Sequence, residues 1–550
     1  MFVAALPMLA GLAREGSAGA PPDPLPLGDI NLFVTTDVHS FLASHLHDDH
    51  TPPSDADFGD LISFIEHTRA RAAREKKDVF FFDNGDVVDG TGLSVTAVDG
   101  AEVFPLLTAV PYDALNCGNH ELYQDGTVLH GLRGPLGGGG SFIDFWNGTY
   151  LTSNIDLAST NASLGARYTI LTGAHGTRLL VLGFLYEMPD HCEAVHVGAI
   201  HAATRQPWWD EAMQQLASVD AVVVLSHMDY ADPLIRTILN AIRAAPHAAA
   251  RTVAVQFLAG HSHIRAFSRL DPSASSFEAG HYADTLGFVR FDRGAYNATL
   301  SALPLEMNAA ALAAAAGLPP AALRTPAGAA LSSRILAARQ RLGVTRRLGC
   351  AARTYSAAAP LGAPASLWGL YLREVAPSAI FLPRANRSQW FISSTGALRY
   401  DLYAGVVTVD DVDMALPFAD ELYVLPRVGG GALAAALAAL NGAALSAPRA
   451  AAGVRSPRAA AAALPNYVAT PPTLDEEEVY DAIVGRFDRE AVAEAVGRAA
   501  GREVTPMRYT NASVAAGSGS PPQTDTEAWM RWAAGLPTPP CSSVVEESMR

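Results

Sequence analysis

Short, continuous apolar runs separated by polar stretches dominate the first half of the chain. Five of them, between residues 30 and 260, read INLFVTT, DVFFFDN, RLLVLGFLY, DAVVVLSH and TVAVQFLAG. An unbroken apolar run, in place of strict alternation, is typical of a strand that is covered on both faces. The segment LISFIEHTRARAAREKK, between the first two runs, predicts a helix whose basic end complements its C-terminal dipole. Together these elements predict a layered α/β architecture.

The pattern changes beyond about residue 305, where alanine, glycine and proline become frequent. An Ala-rich stretch at 308–323 precedes a pattern that predicts a long helix over Ala327–Leu342. A chain of 550 residues is also too long for one ordinary core. We therefore expect a first domain over 29–305, an Ala-rich linker with an interdomain helix over 306–345, a second domain over 346–511 and a low-complexity tail over 512–550.

The first 20 residues predict an exported protein. An apolar run over 2–13 is followed by small residues with the spacing of a cleavage site, which is typical of a secretory signal peptide. The alternative is a buried N-terminal segment. Glycosylation sequons support secretion to the extracellular space, and they begin at Asn147, Asn161, Asn297, Asn386 and Asn511. No later stretch has the length and apolar character of a transmembrane span.

Four cysteines leave the disulfide pattern open. Cys117, Cys192, Cys350 and Cys541 allow two bridges in three connectivities. Cys117 lies in a motif of candidate ligands, and we expect it to be a small packing residue. None of the four has the CxxC spacing of a zinc–thiolate site.

The net charge excludes one class of partner. A charge of −16 and a pI of about 5.4 do not fit a protein that binds a nucleic acid polymer, which usually carries a basic stripe. A small anionic substrate remains compatible with this charge, because bound metal ions can outweigh distant acidic side chains. The oligomeric state is not determined by the sequence.

Five short polar motifs follow the predicted strands: TTDVHS, NGDVVDG, CGNHEL, LSHMDY and AGHSHI. The carboxyl ends of strands form the ligand crevice of an open α/β sheet, so side chains at these positions converge. A single histidine after an apolar strand is ordinarily structural, but five such motifs in this order predict a shared site. Its candidate ligands are Asp37, His39, Asp86, Asn119, His227, His261 and His263.

These residue types indicate metal chemistry. A mixture of carboxylate and imidazole suits zinc, manganese or iron, whereas an all-oxygen set would suit calcium. Two divalent ions about 4 Å apart need a bridging ligand, and Asp86 is placed to be one. Such a pair would polarise phosphoryl oxygens and convert a bridging water to hydroxide near neutral pH. His120, next to Asn119, would stabilise the leaving oxygen.

The motif order D-x-H, G-D-x-x-D, G-N-H-E, H and G-H-x-H resembles the signature of the calcineurin-like metallophosphoesterase superfamily, and within it the two-domain 5′-nucleotidases. The resemblance implies a four-layer metallophosphoesterase β-sandwich flanked by helices, plus a C-terminal α+β substrate domain of the 5′-nucleotidase type. It implies one metal held by Asp37, His39, Asp86 and His263, and another held by Asp86, Asn119, His227 and His261. His120 would be the catalytic histidine. The stretches GNHELY and EAGHYADTLGFV look like a fungal-type secreted branch.

The resemblance extends to about residue 496 through the stretch SSTGALRYDLYAGVVTVDDVDMALPFADELYVL. It implies that Arg399 faces the substrate and that Phe418 belongs to the family's P-F turn. Ser394 stands where the family has an asparagine that contacts the nucleoside. The family's G-G-D-G-[FY] motif, which supplies a ring that clamps the base, has no counterpart that we identify.

Three further positions depart from the family or leave alternatives open. Tyr123 replaces the aspartate that usually pairs with the catalytic histidine, and Asp125 is the nearest substitute. Phe391 is an aromatic wall for the substrate or a core residue. Arg384 either binds phosphate, which suits arginine, or lies on a plain surface.

The leading hypothesis is a secreted, 5′-nucleotidase-like phosphomonoesterase that uses two divalent metal ions and acts on a small phosphoester, most simply a nucleotide. Two alternatives remain. One is a hydrolase of non-nucleotide or cyclic phosphoesters, which the missing clamp motif favours. The other is a secreted binding protein that has lost turnover, which the complete ligand set disfavours.

Overall fold

A computed structural model describes residues 23–46, 56–137, 139–381, 388–442, 464–470, 474–509, 522–537 and 541. The chain divides into two compact units. The first unit comprises residues 1–88 and 98–337, and the second comprises residues 89–97 and 338–550. The predicted signal peptide lies outside the described residues.

The strands of the first unit are β1 (Ile30–Thr35), β2 (Asp78–Asp83), β3 (Ala114–Asn116), β4 (Tyr150–Leu151), β5 (Ile155–Leu157), β6 (Tyr168–Thr172), β7 (Arg178–Leu185), β8 (Val195–Val197), β9 (Ala221–His227), β10 (Ala254–Ala259), β11 (Arg265–Asp271), β12 (Ala274–Ala279), β13 (Thr285–Phe291) and β14 (Ser301–Glu306). They form two six-stranded sheets, in the orders β14-β13-β1-β2-β3-β4 and β11-β12-β10-β9-β7-β6, while β5 pairs with β8. All five apolar runs of the sequence are strands, namely β1, β2, β7, β9 and β10.

Helices cover the outer faces of these sheets. In chain order the first ten α-helices are α1 (Phe58–Glu75), α2 (Gly92–Val95), α3 (Val103–Leu107), α4 (Phe142–Phe145), α5 (Ile200–Ala203), α6 (Pro207–Gln214), α7 (Pro233–Arg243), α8 (Tyr296–Thr299), α9 (Ala309–Ala316) and α10 (Pro326–Leu342). Helix α2 belongs to the second unit, and the last residues of α10 do so as well. One apolar cluster joins the inner faces of the two sheets, and a second packs β7, β9 and β10 against α5, α6 and α7. Phe64 of α1 packs edge-on against Phe33 of β1.

The first unit is therefore a four-layer sandwich, as the sequence predicts. Helix α1 begins at a capping box in which Asp57 and Asp60 each satisfy backbone N–H groups of the other. It ends at Lys76, whose φ of 57° places it in the left-handed conformation typical of a helix end. In the centre of each sheet the strands run parallel, with β1 beside β2 and β9 beside β7 and β10. Their carboxyl ends consequently meet at one edge.

The second unit is built on a five-stranded sheet with the order β19-β16-β20-β18-β21, and β15 pairs with β17. Its strands are β15 (Arg347–Ala351), β16 (Ser388–Ser394), β17 (Gly405–Thr408), β18 (Leu422–Gly429), β19 (Tyr467–Thr470), β20 (Val479–Gly485) and β21 (Met507–Arg508). Its helices are α11 (Leu367–Leu370), α12 (Val409–Ala415), α13 (Gly430–Gly442), α14 (Arg489–Ala500) and α15 (Asp525–Ala533). Helices α13 and α14 cover one face of the sheet, and α11, α12 and α15 cover the other. The unit has the expected α+β composition.

The segment expected to be a low-complexity tail contains a packed helix. Helix α15 places Trp529 fully inside the core cluster of the second unit. Its start is fixed by Thr524, which accepts a hydrogen bond from the N–H of Glu527. The Ser/Gly/Pro-rich residues around this helix obscure its apolar face in the sequence.

The disulfide pattern is resolved in part by the structure. Cys350 of β15 is bonded to Cys541 across a sequence separation of 191 residues. Cys117 is buried and unbridged, which confirms its expected packing role, and Cys192 is also free. Within the described ranges, none of the helices combines the length and apolar character that crossing a bilayer requires.

Candidate metal centre

The seven candidate ligands meet at the carboxyl ends of the parallel strands of the first unit. Each follows or ends a strand: two come after β1, one after β2, one after β3, one from the last residue of β9 and two after β10. Six are buried and His261 is half-buried. The two sheets thus bring to one place the side chains Asp37, His39, Asp86, Asn119, His227, His261 and His263.

The carboxylate of Asp86 lies between two groups of ligands. Its Oδ2 is 3.0 Å from Nε2 of His227 and 3.8 Å from Nε2 of His39. On the His39 side, Nε2 of His263 lies 3.1 Å from Nε2 of His39 and 3.3 Å from Oδ1 of Asp37. On the other side, Nε2 of His227 lies 3.1 Å from Oδ1 of Asn119. One carboxylate oxygen is therefore within reach of both groups.

The donor set fits divalent cations. Three overlapping triads have ligand atoms within 4.8 Å of one another: Asp37, His39 and His263; His39, Asp86 and His120; and Asp86, His227 and His261. Among the described residues, the buried Nδ1 of His261 has no hydrogen-bond partner, as expected of a nitrogen reserved for a cation. Mixed imidazole and carboxylate ligands at such distances suit first-row transition metals.

The pKa shifts of the candidate ligands also indicate a site that favours a cation. Burial lowers the pKa of His227, but the carboxylates of Asp86 and Asp37 outweigh it and raise this pKa to about 10. Burial and the neighbouring His227 lower the pKa of His261 to about 4. Although burial raises the pKa of Asp86, the surrounding His227 and His120 hold it well below its usual value. Buried carboxylates that attract protons onto a histidine also attract a cation.

Backbone strain marks the same residues. Five ligands have positive φ: 51° at Asp37, 47° at His39, 56° at Asp86, 73° at His261 and 59° at His263. Non-glycine residues seldom adopt this conformation, which has a free-energy cost and concentrates at functional sites. The tight loops after β1, β2 and β10 are thus held in shapes that aim these side chains at a common centre.

Hydrogen bonds from the backbone fix the ligand orientations. Nδ1 of His39 contacts the carbonyl of Val88 at 3.0 Å, and Nδ1 of His227 contacts the carbonyl of Asn84 at 2.7 Å. A carbonyl partner at Nδ1 sets the tautomer and leaves Nε2 of each ring as the candidate ligand atom. The N–H of His261 donates to both oxygens of Asp37 at 2.9 and 3.0 Å.

Two buried glutamates, neither identified as a site residue from the sequence, hold the ligand loops. Glu121 accepts hydrogen bonds from the N–H groups of Asp86, Val87 and Gly118 at 2.8–2.9 Å. Glu278 accepts hydrogen bonds from the Ser262 hydroxyl and from the N–H of Ile264. Glu121 was visible within the G-N-H-E motif, whereas Glu278 reaches the site only through the pairing of β12 with β10.

The structure places Tyr123, and not Asp125, beside the expected catalytic histidine. The His120 ring meets the rings of His39 and Tyr123 edge-on, at centroid distances of 4.6 and 5.2 Å. The exposed Asp125 carboxylate accepts a hydrogen bond from the N–H of Ala194 at 2.8 Å. Asp125, the partner expected for His120, therefore binds the loop that contains Ala194.

The predicted substrate residues of the second unit have different surroundings. Arg399 is 9% exposed, and its guanidinium lies 5.7 Å from the centre of the Phe418 ring. The half-buried Ser394 donates its N–H to Asp488. Phe391 is 2% exposed and packs on Tyr371 in the core, so the core alternative describes it and the expected aromatic wall is not formed by this side chain. Arg384 lies outside the described residues.

One aromatic residue of the second unit escaped the sequence analysis. Phe487 follows β20 and is 56% exposed. Its N–H donates to Oδ2 of Asp420 at 3.4 Å, so its loop lies along the segment that contains Phe418. The sequence GRFDRE (485–490) has one glycine where the family motif has three, and only the position after β20 reveals the residue.

Comparisons with known proteins agree with this geometry. The family model described as calcineurin-like phosphoesterase matches residues 30–265, and the model described as NAD nucleotidase, C-terminal domain, matches residues 354–490. Fold and site together define a metal-dependent phosphoester hydrolase. Residues 30–265 match the calcineurin-like phosphoesterase family, and the chain has the two-domain fold of the 5′-nucleotidases. The resemblance, the fold class and the enzyme class expected from the sequence are confirmed.

Similar proteins come from fungi. An uncharacterised protein of Saccharomyces cerevisiae is 28% identical over 425 residues, which cover 71% of this chain and 67% of that protein. A protein of Arthroderma benhamiae described as a secreted protein is 27% identical over 475 residues, which cover 78% of this chain and 69% of that protein. The crystal structure of a 5′-nucleotidase from Candida albicans matches with a TM-score of 0.79 at 21% identity, covering 94% of this chain and 100% of that one. At this identity the match establishes the fold alone.

Proposed function

We propose that the protein is a secreted phosphomonoesterase of the 5′-nucleotidase type that works with two divalent metal ions. The observation that carries the proposal is the position of Asp86 Oδ2, within 3.8 Å of histidine ligands from both groups. In this proposal Asp37, His39, Asp86 and His263 hold one ion, and Asp86, Asn119, His227 and His261 hold the other. Zinc, manganese and iron all suit this donor set.

When bound, the ions supply Lewis acidity toward the phosphoryl oxygens and activate the attacking water. The residues of the chain do the rest. Attack on phosphorus breaks its bond to the leaving alcohol oxygen, and His120 donates a proton to that oxygen. The N–H of His120 is bonded to Oδ1 of Asp86 at 2.8 Å, so the proton donor keeps a fixed position relative to the ligands. Preorganisation of this kind lowers the cost of reaching the transition state.

For the substrate we propose a 5′-nucleotide, recognised through the second unit. Arg399 offers a guanidinium stacked on Phe418, and Phe487 presents an exposed ring on the neighbouring loop. An arginine with two aromatic rings suits a purine or pyrimidine nucleoside monophosphate, because bases stack on aromatic rings and arginine binds anionic oxygens. Ser394 is a candidate for hydrogen bonds to the nucleoside.

The test is a panel of phosphoesters with purified protein and added Zn²⁺ or Mn²⁺. We expect phosphate release from AMP to exceed release from glycerol phosphate or a cyclic nucleotide. Arg399→Ala should raise the KM for AMP about tenfold or more while activity on an aryl phosphate stays unchanged. Arg498→Ala, at an exposed arginine of α14 that pairs with Glu494, is the matched control.

Other outcomes identify the alternatives. Equal rates with AMP and glycerol phosphate would favour a non-nucleotide substrate, and a preference for cyclic esters would favour a phosphodiesterase. Nucleotide binding to a two-metal protein without phosphate release would favour a binding protein. Asp125→Asn tests whether Asp125 is the partner of His120 that the sequence predicts. A loss of kcat of more than about tenfold would support that pairing.

Secretion is supported by three observations. The sequon residues Asn147, Asn161 and Asn297 are all exposed, as a glycan requires. The Cys350–Cys541 disulfide suits an oxidising compartment. A relative is described as a secreted protein. Recovery of the protein from culture medium, with a mass decrease after enzymatic deglycosylation, is the expected result; retention inside the cell without glycans would contradict it.

A further inference from the structure

Two tyrosines, Tyr123 and Tyr186, contact one of the two groups of candidate ligands. Tyr123 follows Asn119 by four residues, and its hydroxyl accepts a hydrogen bond of 3.1 Å from Nδ2 of Asn119. The other end of the same amide, Oδ1, lies 3.1 Å from Nε2 of His227. Only the oxygen of a carboxamide ligates cations, since the NH₂ end is a pure donor. The hydroxyl of Tyr123 therefore binds the NH₂ group of Asn119, which cannot ligate a cation, and leaves Oδ1 directed at the candidate metal centre.

Tyr186, directly after β7, contacts the other two ligands of this group. Its ring packs on the ring of His261 with centroids 4.5 Å apart and an interplanar angle of 31°. Its N–H donates to the carbonyl of His227 at 3.2 Å. The side chains of Tyr186 and Tyr123 are hydrogen-bonded to each other. The two tyrosines thus contact residues at three different strand ends, through the side chains of Asn119 and His261 and the backbone carbonyl of His227.

These contacts involve the three candidate ligands on the His227 side of Asp86. Asn119, His227 and His261 are each touched by Tyr123 or Tyr186, and the ring of Tyr123 also meets the ring of His120 edge-on. Groups that hydrogen-bond or pack on metal ligands set ligand orientation, and their loss typically lowers metal affinity about 10- to 100-fold.

We propose that Tyr123 and Tyr186 form a hydrogen-bonded pair of positioning residues that sets the affinity of the Asn119–His227–His261 group for its cation. The inference rests on the proposed two-metal function. The pair contacts neither substrate nor cation and acts through the ligands. It predicts an asymmetry, in which loss of either hydroxyl weakens one cation and leaves the cation of the Asp37–His39–His263 group unchanged.

The experiment is a titration of the metal-free, full-length protein with Mn²⁺, followed by calorimetry and electron paramagnetic resonance. Tyr123→Phe and Tyr186→Phe remove one hydroxyl each and keep the rings. We expect the wild type to bind two ions and to show the signal of a coupled pair. Each variant should bind its first ion like the wild type and its second about 10- to 100-fold more weakly, with the coupled signal lost at low Mn²⁺.

A matched control and a double variant sharpen the result. Tyr296→Phe removes another buried tyrosine hydroxyl, which bonds Ser275 and Gln256 away from the ligands, and should leave both affinities unchanged. The double variant Tyr123→Phe/Tyr186→Phe should be no weaker than the more affected single variant, because the two hydroxyls share one hydrogen bond. Additive losses of metal affinity in the double variant would contradict the proposal that the two tyrosines act as a pair.

Failure of the tyrosine proposal can be distinguished from failure of the proposed function. Wild-type affinities in both single variants, or equal weakening of both ions, would overturn the positioning role while leaving the proposed function intact. A wild-type protein that binds fewer than two ions and releases no phosphate would overturn both. Thermal unfolding of each variant verifies that the fold is kept, so that a loss of affinity reports on the site.

Discussion

The backbone N–H of His120 donates a hydrogen bond of 2.8 Å to Oδ1 of Asp86, whose Oδ2 lies 3.0 Å from Nε2 of His227. The two oxygens of one carboxylate thus have separate tasks. Oδ1 anchors the loop that carries the expected proton donor, and Oδ2 faces the ligands. Because residues 86 and 120 follow different strands, the contact also joins two loops of the site.

Asp86→Asn should abolish hydrolysis without unfolding the protein. Asparagine retains an oxygen that can accept a hydrogen bond from the His120 N–H, but it lacks the negative charge that the two proposed cations would share. We expect the rate with an aryl phosphate to fall by about 10³-fold or more and the bound metal to fall below two ions per chain. Asp99→Asn is a matched control, because Asp99 also has a positive φ, of 60°, but faces His130. Asp86→Asn activity within tenfold of wild type would contradict the assignment.

Glu278→Ala should loosen the loop that carries His261 and His263. The carboxylate accepts hydrogen bonds from Ser262, between the two histidines, and from the N–H of Ile264. Its loss leaves these half-buried donors without their partner, which lowers the free energy of unfolding by about 1–3 kcal/mol at most. We expect kcat to fall about 10- to 100-fold with weaker metal binding. Steady-state kinetics against Ser276→Ala, on the same strand, provide the comparison; equal kcat in both variants would argue against this role.

The second unit should lose stability as the pH rises from about 4 to 8. Burial, reinforced by the nearby Asp410, raises the pKa of Asp413 to about 8. The folded protein therefore binds this proton more tightly than the unfolded chain, so stability is full below the unfolded pKa and falls until the folded pKa is reached. Asp413→Asn should remove this slope and stabilise the protein on the order of 2 kcal/mol at pH 8. Urea unfolding at pH 4 and pH 8 measures the difference, with exposed Glu494→Gln as control; an unchanged slope would refute the prediction.

Cys541→Ser should destabilise the second unit. The Cys350–Cys541 bond joins β15 to a segment 191 residues later and limits the conformations of the unfolded chain. Loops of this length correspond to about 3–5 kcal/mol of stabilisation. We expect a lower midpoint of denaturant unfolding that reductant reproduces in the wild type and does not lower further in the variant. Cys192→Ser, which removes a free thiol, should leave the midpoint unchanged.

Much of the site could be predicted because its ligands lie at the ends of strands. An apolar run such as that of β9 predicts both a buried strand and the residue at which the strand ends, so His227 is located by local sequence alone. Parallel packing then brings the strand ends together whatever the intervening loops contain. The seven candidate ligands required no knowledge of long-range contacts beyond that rule.

Other residues could not be found in this way. Tyr186 and Glu278 reach the ligands from β7 and β12, and their contacts depend on which strands are neighbours. The alternation of β16 decides that Phe391 faces a core of α11 and α15, because successive side chains of a strand point to opposite faces. Phe487 is distinguished only by its exposure after β20.

The sequence by itself determined the class of fold and the candidate ligands of the proposed metal centre, because periodicity and ligand type are local properties of the chain. Only the tertiary structure decided the bond between Cys350 and Cys541, the direction of Asp125 toward Ala194 and the tyrosines that hold Asn119 and His261. These relationships join residues that are distant in the chain, and they are fixed by packing between elements, which no local pattern encodes.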